Sequence, residues 1–110
     1  MSTSSSDASK FKVLDALLRP KSIAVVGASA TPGKLGAVVL ANIIANGYAG
    51  KVFPVNPSHP EIQGLKAYPS VLDIPEKIDA AVLAVPAALC AQVAEECGRK
   101  GVQGLIVIAS

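Results

Sequence analysis

Between Ser22 and Ala28 the chain reads SIAVVGA, an apolar, β-branched run that opens without a break into Gly27-Ala28-Ser29-Ala30-Thr31-Pro32-Gly33-Lys34-Leu35-Gly36. A surface strand alternates apolar and polar residues; this one does not. It therefore has to be covered on both faces, the situation of a central strand in a parallel sheet sandwiched between helices. A glycine-rich turn at the end of such a strand leads into a helix, and that junction is where α/β sheets bind phosphate groups.

The pattern downstream repeats the same unit. Leu35, Val38, Val39 and Ile43 recur at helical steps, so a helix is expected over Lys34 to Asn46, with Gly47 as its left-handed terminator. A second strand follows at Lys51 to Val55. Asn56, Pro57, Ser58, His59 and Pro60 form a turn, Gln63 to Tyr68 a short third strand, and Ser70 to Ile74 a helical turn. Ala80 to Val85 is a fourth, wholly apolar strand, after which Pro86 suits the first turn of a helix. Leu89, Cys90, Val93, Ala94 and Cys97 make that helix's buried face, Glu95, Glu96, Arg99 and Lys100 its wet one, and Gly101 its end. Gly104 to Ala109 is the fifth strand. The expected fold is α/β, a Rossmann-like doubly wound parallel sheet of about five strands in spatial order 3-2-1-4-5.

Ahead of this domain, residues 1–9 are Ser-rich and expected to be a disordered leader; the domain then opens with Lys10 to Leu18, which spaces Phe11, Val13, Leu14, Leu17 and Leu18 as a short helix stopped by Pro20. The domain proper is placed at 10–110. Its last strand is apolar throughout with nothing after it to cover its faces, so the fold is expected to be truncated there, with the natural protein continuing beyond Ser110.

Charge narrows the function classes. With a net charge of +2 and aromatics at 4%, the chain lacks both the basic field and the stacking platforms of a nucleic-acid binder. From Ala16 through Pro60 there is no Asp or Glu, while Arg19, Lys21, Lys34 and Lys51 are present. That half is either an anion-facing field or a set of solvated lysines. No signal peptide or membrane-length apolar run appears, so the cytoplasm is the expected compartment and no membrane partner is expected.

In the glycine-rich loop, Thr31 and Pro32 suit an N-cap and a first helical residue, which would put Lys34 in the first turn. A cation there opposes the helix dipole, a misfit that an anionic ligand reverses. A nicotinamide dinucleotide is disfavoured: Ser29 stands at the second glycine of the G-x-G-x-x-G pattern, and Val55-Asn56-Pro57 ends the second strand without the acidic residue that binds ribose. Cys90 and Cys97, about 10 Å apart along a helix, are too distant for a disulfide and read as reduced apolar residues. His59 has no partner spaced for a metal site, and no catalytic grouping assembles. No catalytic residue and no metal site is expected.

Five ordered segments carry a family resemblance: Pro20-Lys21-Ser22-Ile23-Ala24-Val25-Val26-Gly27-Ala28-Ser29; Pro32-Gly33-Lys34-Leu35-Gly36; Val52-Phe53-Pro54-Val55-Asn56-Pro57; Gly64-Leu65-Lys66-Ala67-Tyr68-Pro69-Ser70; and Val85-Pro86-Ala87. From Leu18 to Ser110 the chain resembles the N-terminal CoA-binding domain of ADP(NDP)-forming acyl-CoA synthetases, acetate-CoA ligases among them, which are related to the succinyl-CoA synthetase α subunit. The resemblance implies a ligase joining a small carboxylic acid to CoA with conversion of ATP to ADP and phosphate. It implies that Gly27, Ala28, Ser29, Gly33, Lys34 and Gly36 hold CoA phosphates, that Asn56, Pro57, Val85 and Pro86 border its nucleotide, and that Ser110 lies toward the thioester end. The family's phosphohistidine, ligase and ATP-grasp parts are not in this sequence, and His59 does not match the catalytic histidine. ATP, ADP and Mg would belong to those other parts, which the resemblance implies as partners, and the chain alone is not expected to catalyse. Two alternatives stand beside this reading: a non-catalytic CoA-binding or regulatory module, including one fused to a protein lysine acetyltransferase, and a nicotinamide-dependent oxidoreductase or redox sensor.

Overall fold

The structure is a computed structural model that describes residues 19–108. The expected leader over 1–9, the helix over 10–18 and Ser110 lie outside the described residues.

Four parallel strands form the sheet. β1 (Ser22–Val26) lies between β2 (Lys51–Val55) and β5 (Ala80–Leu83), and β6 (Gly104–Val107) pairs with β5. The order β2-β1-β5-β6 agrees with the expected order for the strands at the first, second, fourth and fifth places. Helix α1 (Leu35–Ala45) connects β1 to β2, and α2 (Ala87–Lys100) connects β5 to β6.

The continuous apolar character of β1 is used as expected, with successive residues feeding opposite cores. Ala24 and Val26 face Phe53, Val55, Ala81, Leu83 and the α2 residue Cys97, while Val25 faces Leu40, Ile62 and Ala67 on the α1 side. Phe53 meets Tyr68 edge-on, with ring centroids 6.1 Å apart.

The third strand departs from expectation. Tyr68 alone joins the sheet, as an isolated parallel bridge to Val55 held by Tyr68 N to Pro54 O at 3.0 Å and Asn56 N to Tyr68 O at 2.9 Å. One step further back, the ladder would need the amide of residue 54 to donate to residue 66. Pro54 has no amide, so the ladder stops. The freed residues fold on themselves as an antiparallel hairpin, β3 (Glu61–Ile62) with β4 (Leu65–Lys66). Its two-residue turn has φ +51° at Gln63 and +81° at Gly64, the positive pair that a type I′ turn requires. The expected helical turn is a short 3₁₀ turn at Val71–Asp73, capped by the Ser70 hydroxyl, which accepts from Leu72 N.

The helix faces also need correction. In α1 the buried residues are Gly36, Ala37 and Leu40, whereas Val38 is 44% exposed. In α2, Leu89 is exposed, and two residues expected in water are half-buried: Glu96 accepts from the Ser70 hydroxyl at 2.8 Å, and Lys100 Nζ donates to Ile74 O. Their long stems lie along the helix while their heads fasten the 3₁₀ turn to α2. Gly101, at φ +88°, terminates α2 as expected. Leu105, Ile106 and Val107 of β6 are all exposed, and Ile108 N extends the ladder to Leu83 O at 2.9 Å.

Candidate nucleotide-phosphate site

Three loops converge at the carboxyl edge of the sheet, after β1, β2 and β5. Their meeting point is tight. The Gly27 amide donates to Val55 O at 3.0 Å, and Gly27 has φ +88°. A Cβ on it would stand 2.2 Å from Ala84 O and 3.0 Å from a Val85 methyl, so only glycine lets the strand turn here against the β5 exit. Asn56 closes the other side. Its side-chain amide donates to Ala28 O at 2.9 Å while its Oδ1 accepts from Ser58 N at 2.7 Å, so one residue ties the β2 exit to the β1 exit. Gly27, Ala28, Asn56 and Val85 are thus brought together, with Pro57 and Pro86 exposed on the flanking loops.

The start of α1 differs from the expected one. Thr31 is not an N-cap and Pro32 is not helical. Instead Lys34 N donates to Thr31 O at 3.2 Å across a turn with Pro32 second and Gly33, at φ +86°, third. This is the residue pattern of a type II turn, and a positive φ at Gly33 is incompatible with a right-handed helix through it. The Pro-Gly pair signals that turn in the sequence. The Ser29 hydroxyl accepts from Thr31 N at 3.0 Å and steadies the approach. The helix therefore begins at Leu35, with Lys34 as its extended N-cap residue (φ −71°, ψ 143°), and Lys34 is not in the first turn. Lys34 remains a cationic residue at the helix's N-terminal end, where a positive charge is unfavourable.

The shape of this junction suits a phosphate. Ala37 N and Val38 N donate to Lys34 O, but the Leu35 and Gly36 amides have no acceptor among the described residues. No acid lies in the first turn of α1. A Cβ on Gly36 would come 1.8 Å from Gly27 O, so the helix start is pressed onto the strand exit, whereas Gly33 has nothing within 4 Å of its missing Cβ. The result is an inner glycine that closes the packing and an outer one that leaves room.

One contact was not anticipated from sequence. Gln63, at the tip of the β3–β4 hairpin, donates its side-chain amide to Ala37 O at 3.1 Å and to Ser29 O at 3.4 Å, reaching both limbs of the loop. The signal was present as Gln63-Gly64 between Ile62 and Leu65, a two-residue hairpin turn.

The remaining chemistry-bearing residues stay apart. His59 is exposed, and among the described residues no three His, Cys, Asp or Glu side chains gather to hold a metal. Cys97 is buried and Cys90 half-buried, both as free thiols. A concavity of about 1080 Å³ lies at the opposite, amino edge of the strands, bordered by Lys21, Tyr48, Lys77 and Asp79. Several of its polar groups bond to one another: Lys21 N donates to Asp79 at 2.8 Å, the Tyr48 hydroxyl to Pro20 O at 2.5 Å, and Lys51 pairs with Glu76. The glycine-rich loop is at the other edge, the one where parallel sheets generally bind ligands.

A parallel sheet with a glycine turn after its central strand, a helix start stripped of acids and an asparagine instead of an acid after β2 defines a nucleotide-binding α/β domain of the Rossmann type. Comparison with known proteins narrows this class. Residues 21–110 match the family described as CoA binding domain. The chain is 50% identical over 101 residues to the alpha subunit of ADP-forming acetate-CoA ligase I from Pyrococcus furiosus, covering 88% of this chain and 22% of that protein. It is 48% identical over 94 residues to ADP-forming acetate-CoA ligase II from Archaeoglobus fulgidus, covering 86% and 14%. Among solved structures, the dinucleotide-forming acetyl-coenzyme A synthetase 1 of Ca. Korarchaeum cryptofilum, in complex with phosphate and ADP, superposes with a TM-score of 0.86 at 46% identity, covering 88% of this chain and 21% of that one. The chain belongs to the CoA binding domain family. It spans less than a quarter of the length of each of these relatives. No described helix is long and apolar enough to cross a membrane.

Proposed function

We propose that the loop from Gly27 to Gly36 binds the diphosphate of coenzyme A, and that this chain is the CoA-binding part of an ADP-forming acyl-CoA synthetase. The observation that carries the reading is the junction itself: at one strand exit stand the Leu35 and Gly36 amides, which have no acceptor among the described residues, the open side of Gly33 and the N-cap residue Lys34. Gly27, Ala28 and Ser29 form the floor. Asn56 and Pro57 on one side, and Val85 and Pro86 on the other, border the adenine nucleotide. Of the cations in the acid-free stretch from Ala16 through Pro60, Lys34 belongs to this edge, whereas Arg19, Lys21 and Lys51 border the concavity at the amino edge, where Lys51 pairs with Glu76.

In this reading the small carboxylic acid, ATP, ADP and Mg are handled by ligase and ATP-grasp parts, fused or separate, in the cytoplasm, and this chain contributes binding and orientation of the thiol carrier. Such a division matches the names of the relatives, which are ligases of which this region is a minor share. Calorimetric titration of the chain with CoA and with NADH tests it. CoA is expected to bind the more tightly, and Lys34→Glu to weaken it by about tenfold, a change of about 1.4 kcal/mol. Tighter binding of NADH, or no effect of the charge reversal, would overturn the assignment. In the enzyme that carries this chain, ADP release from ATP is expected to require both CoA and a short carboxylic acid.

A further inference from the structure

We infer that Gln63 is a positioning residue for the phosphate loop, acting as a clamp from the β3–β4 hairpin across both of the loop's limbs. The inference rests on the CoA-binding reading and adds to it a residue outside the strand exits.

Gln63 is the one non-glycine residue with positive φ among the described residues. The first position of a type I′ turn favours Asn, Asp or Gly, since a longer side chain gains nothing there to offset the left-handed backbone. What Gln63 has in exchange is reach. Its Nε2 carries two protons, and two carbonyls face it, Ala37 O at 3.1 Å and Ser29 O at 3.4 Å. These acceptors stand on either side of the segment from Ala30 to Gly36. Within the exposed turn itself, Thr31 N donates to Ser29 Oγ and Lys34 N to Thr31 O, while Ala37 N and Val38 N hold Lys34 O on the helix side and Asn56 holds Ala28 O on the strand side. A single amide group thus spans the base of the loop.

The clamp also has a fixed anchor. Ile62, one residue earlier, is buried in the same core as Leu40 and Val25, so the hairpin tip is held relative to both the helix and the central strand. The glutamine transfers that rigidity to the loop. Preorganising the loop's amides reduces the ordering that ligand binding would otherwise require.

Gln63→Gly separates this role from a role in the turn, because glycine suits the turn better yet removes the clamp. With the turn relieved, the melting temperature is expected to hold or rise. CoA affinity is expected to fall about fivefold, the scale of a lost side-chain hydrogen bond. Without ligand, hydrogen exchange at the Ala30, Thr31, Gly33 and Lys34 amides is expected to quicken while the β1 amides keep the wild-type rate. Wild-type loop exchange, or a uniform quickening that includes β1, would overturn the inference, as would CoA affinity unchanged in a variant of a chain that binds CoA. Should the wild-type chain fail to bind CoA, the proposed function falls, and the ligand-free exchange experiment still decides for or against the clamp.

Discussion

Gly36 sits so close to Gly27 that a Cβ on the former would lie 1.8 Å from the carbonyl oxygen of the latter. The first turn of α1 is pressed directly against the exit of the central strand, and no side chain can stand between them. Gly36→Ala must therefore displace backbone against backbone, at a cost of about 1–3 kcal/mol for overpacking. Gly33 is the control, since its missing Cβ meets nothing and only its φ of +86° resists substitution. Gly33→Ala is expected to cost about 1–2 kcal/mol through the left-handed backbone alone. Chemical denaturation compares the two; equal melting of Gly36→Ala and wild type would show that the helix start is free to shift.

Asn56 joins the exits of β1 and β2 through its bond to Ala28 O, while its carbonyl holds Ser58 N. Asn56→Asp keeps the acceptor for Ser58, loses the donor to Ala28 and sets a carboxylate against a carbonyl oxygen. A stability loss of about 1–3 kcal/mol is expected from the donor's removal in this half-buried place. CoA affinity is expected to drop further in Asn56→Asp than in Asn56→Ala, because only the former adds a negative charge beside the proposed phosphate site. Parallel urea melts and CoA titrations of the two variants measure both effects, and equal CoA affinities for the pair would place the ligand away from Asn56.

Burial pushes the Cys97 thiol from its ordinary value of 9.0 up to about 11, with the charge of neighbouring Glu96 adding to the effect. The folded chain then retains a proton that the unfolded chain releases. The contribution to stability is complete below about pH 9 and is lost as pH rises toward about 11. Cys97→Ala is expected to flatten this part of the alkaline stability profile, measured as the difference in urea midpoint between variant and wild type across that window. An identical slope in the two proteins would mean that the thiolate is tolerated in the core. At neutral pH the wild-type thiol is expected to resist alkylation while half-buried Cys90 reacts first.

The uninterrupted apolar run of β1, the apolar β5 and the Gly101 stop signal were enough to place the parallel sheet and the order of its four strands. These features are local and one-dimensional: a strand buried on both faces cannot alternate, and a left-handed helix end needs glycine whatever packs around it. The site residues implied by the family resemblance at the exits of β1, β2 and β5 fall at one edge because topology sends the carboxyl ends of adjacent parallel strands there.

What only the tertiary structure decided are the features that depend on who stands next to whom. Pro54 was visible in the sequence, but its effect on the third strand became defined only once its missing amide fell on the outer edge, where Tyr68 had to pair. The Pro32-Gly33 turn was signalled by its residues, but the close packing of Gly36 on Gly27, which seats the helix start against the strand exit, was not. Gln63 reaches Ser29 and Ala37 across 34 and 26 positions of sequence. Periodicity reports which face of an element is buried; it carries no information about a hydrogen bond between elements, which exists only after the chain has brought donor and acceptor together.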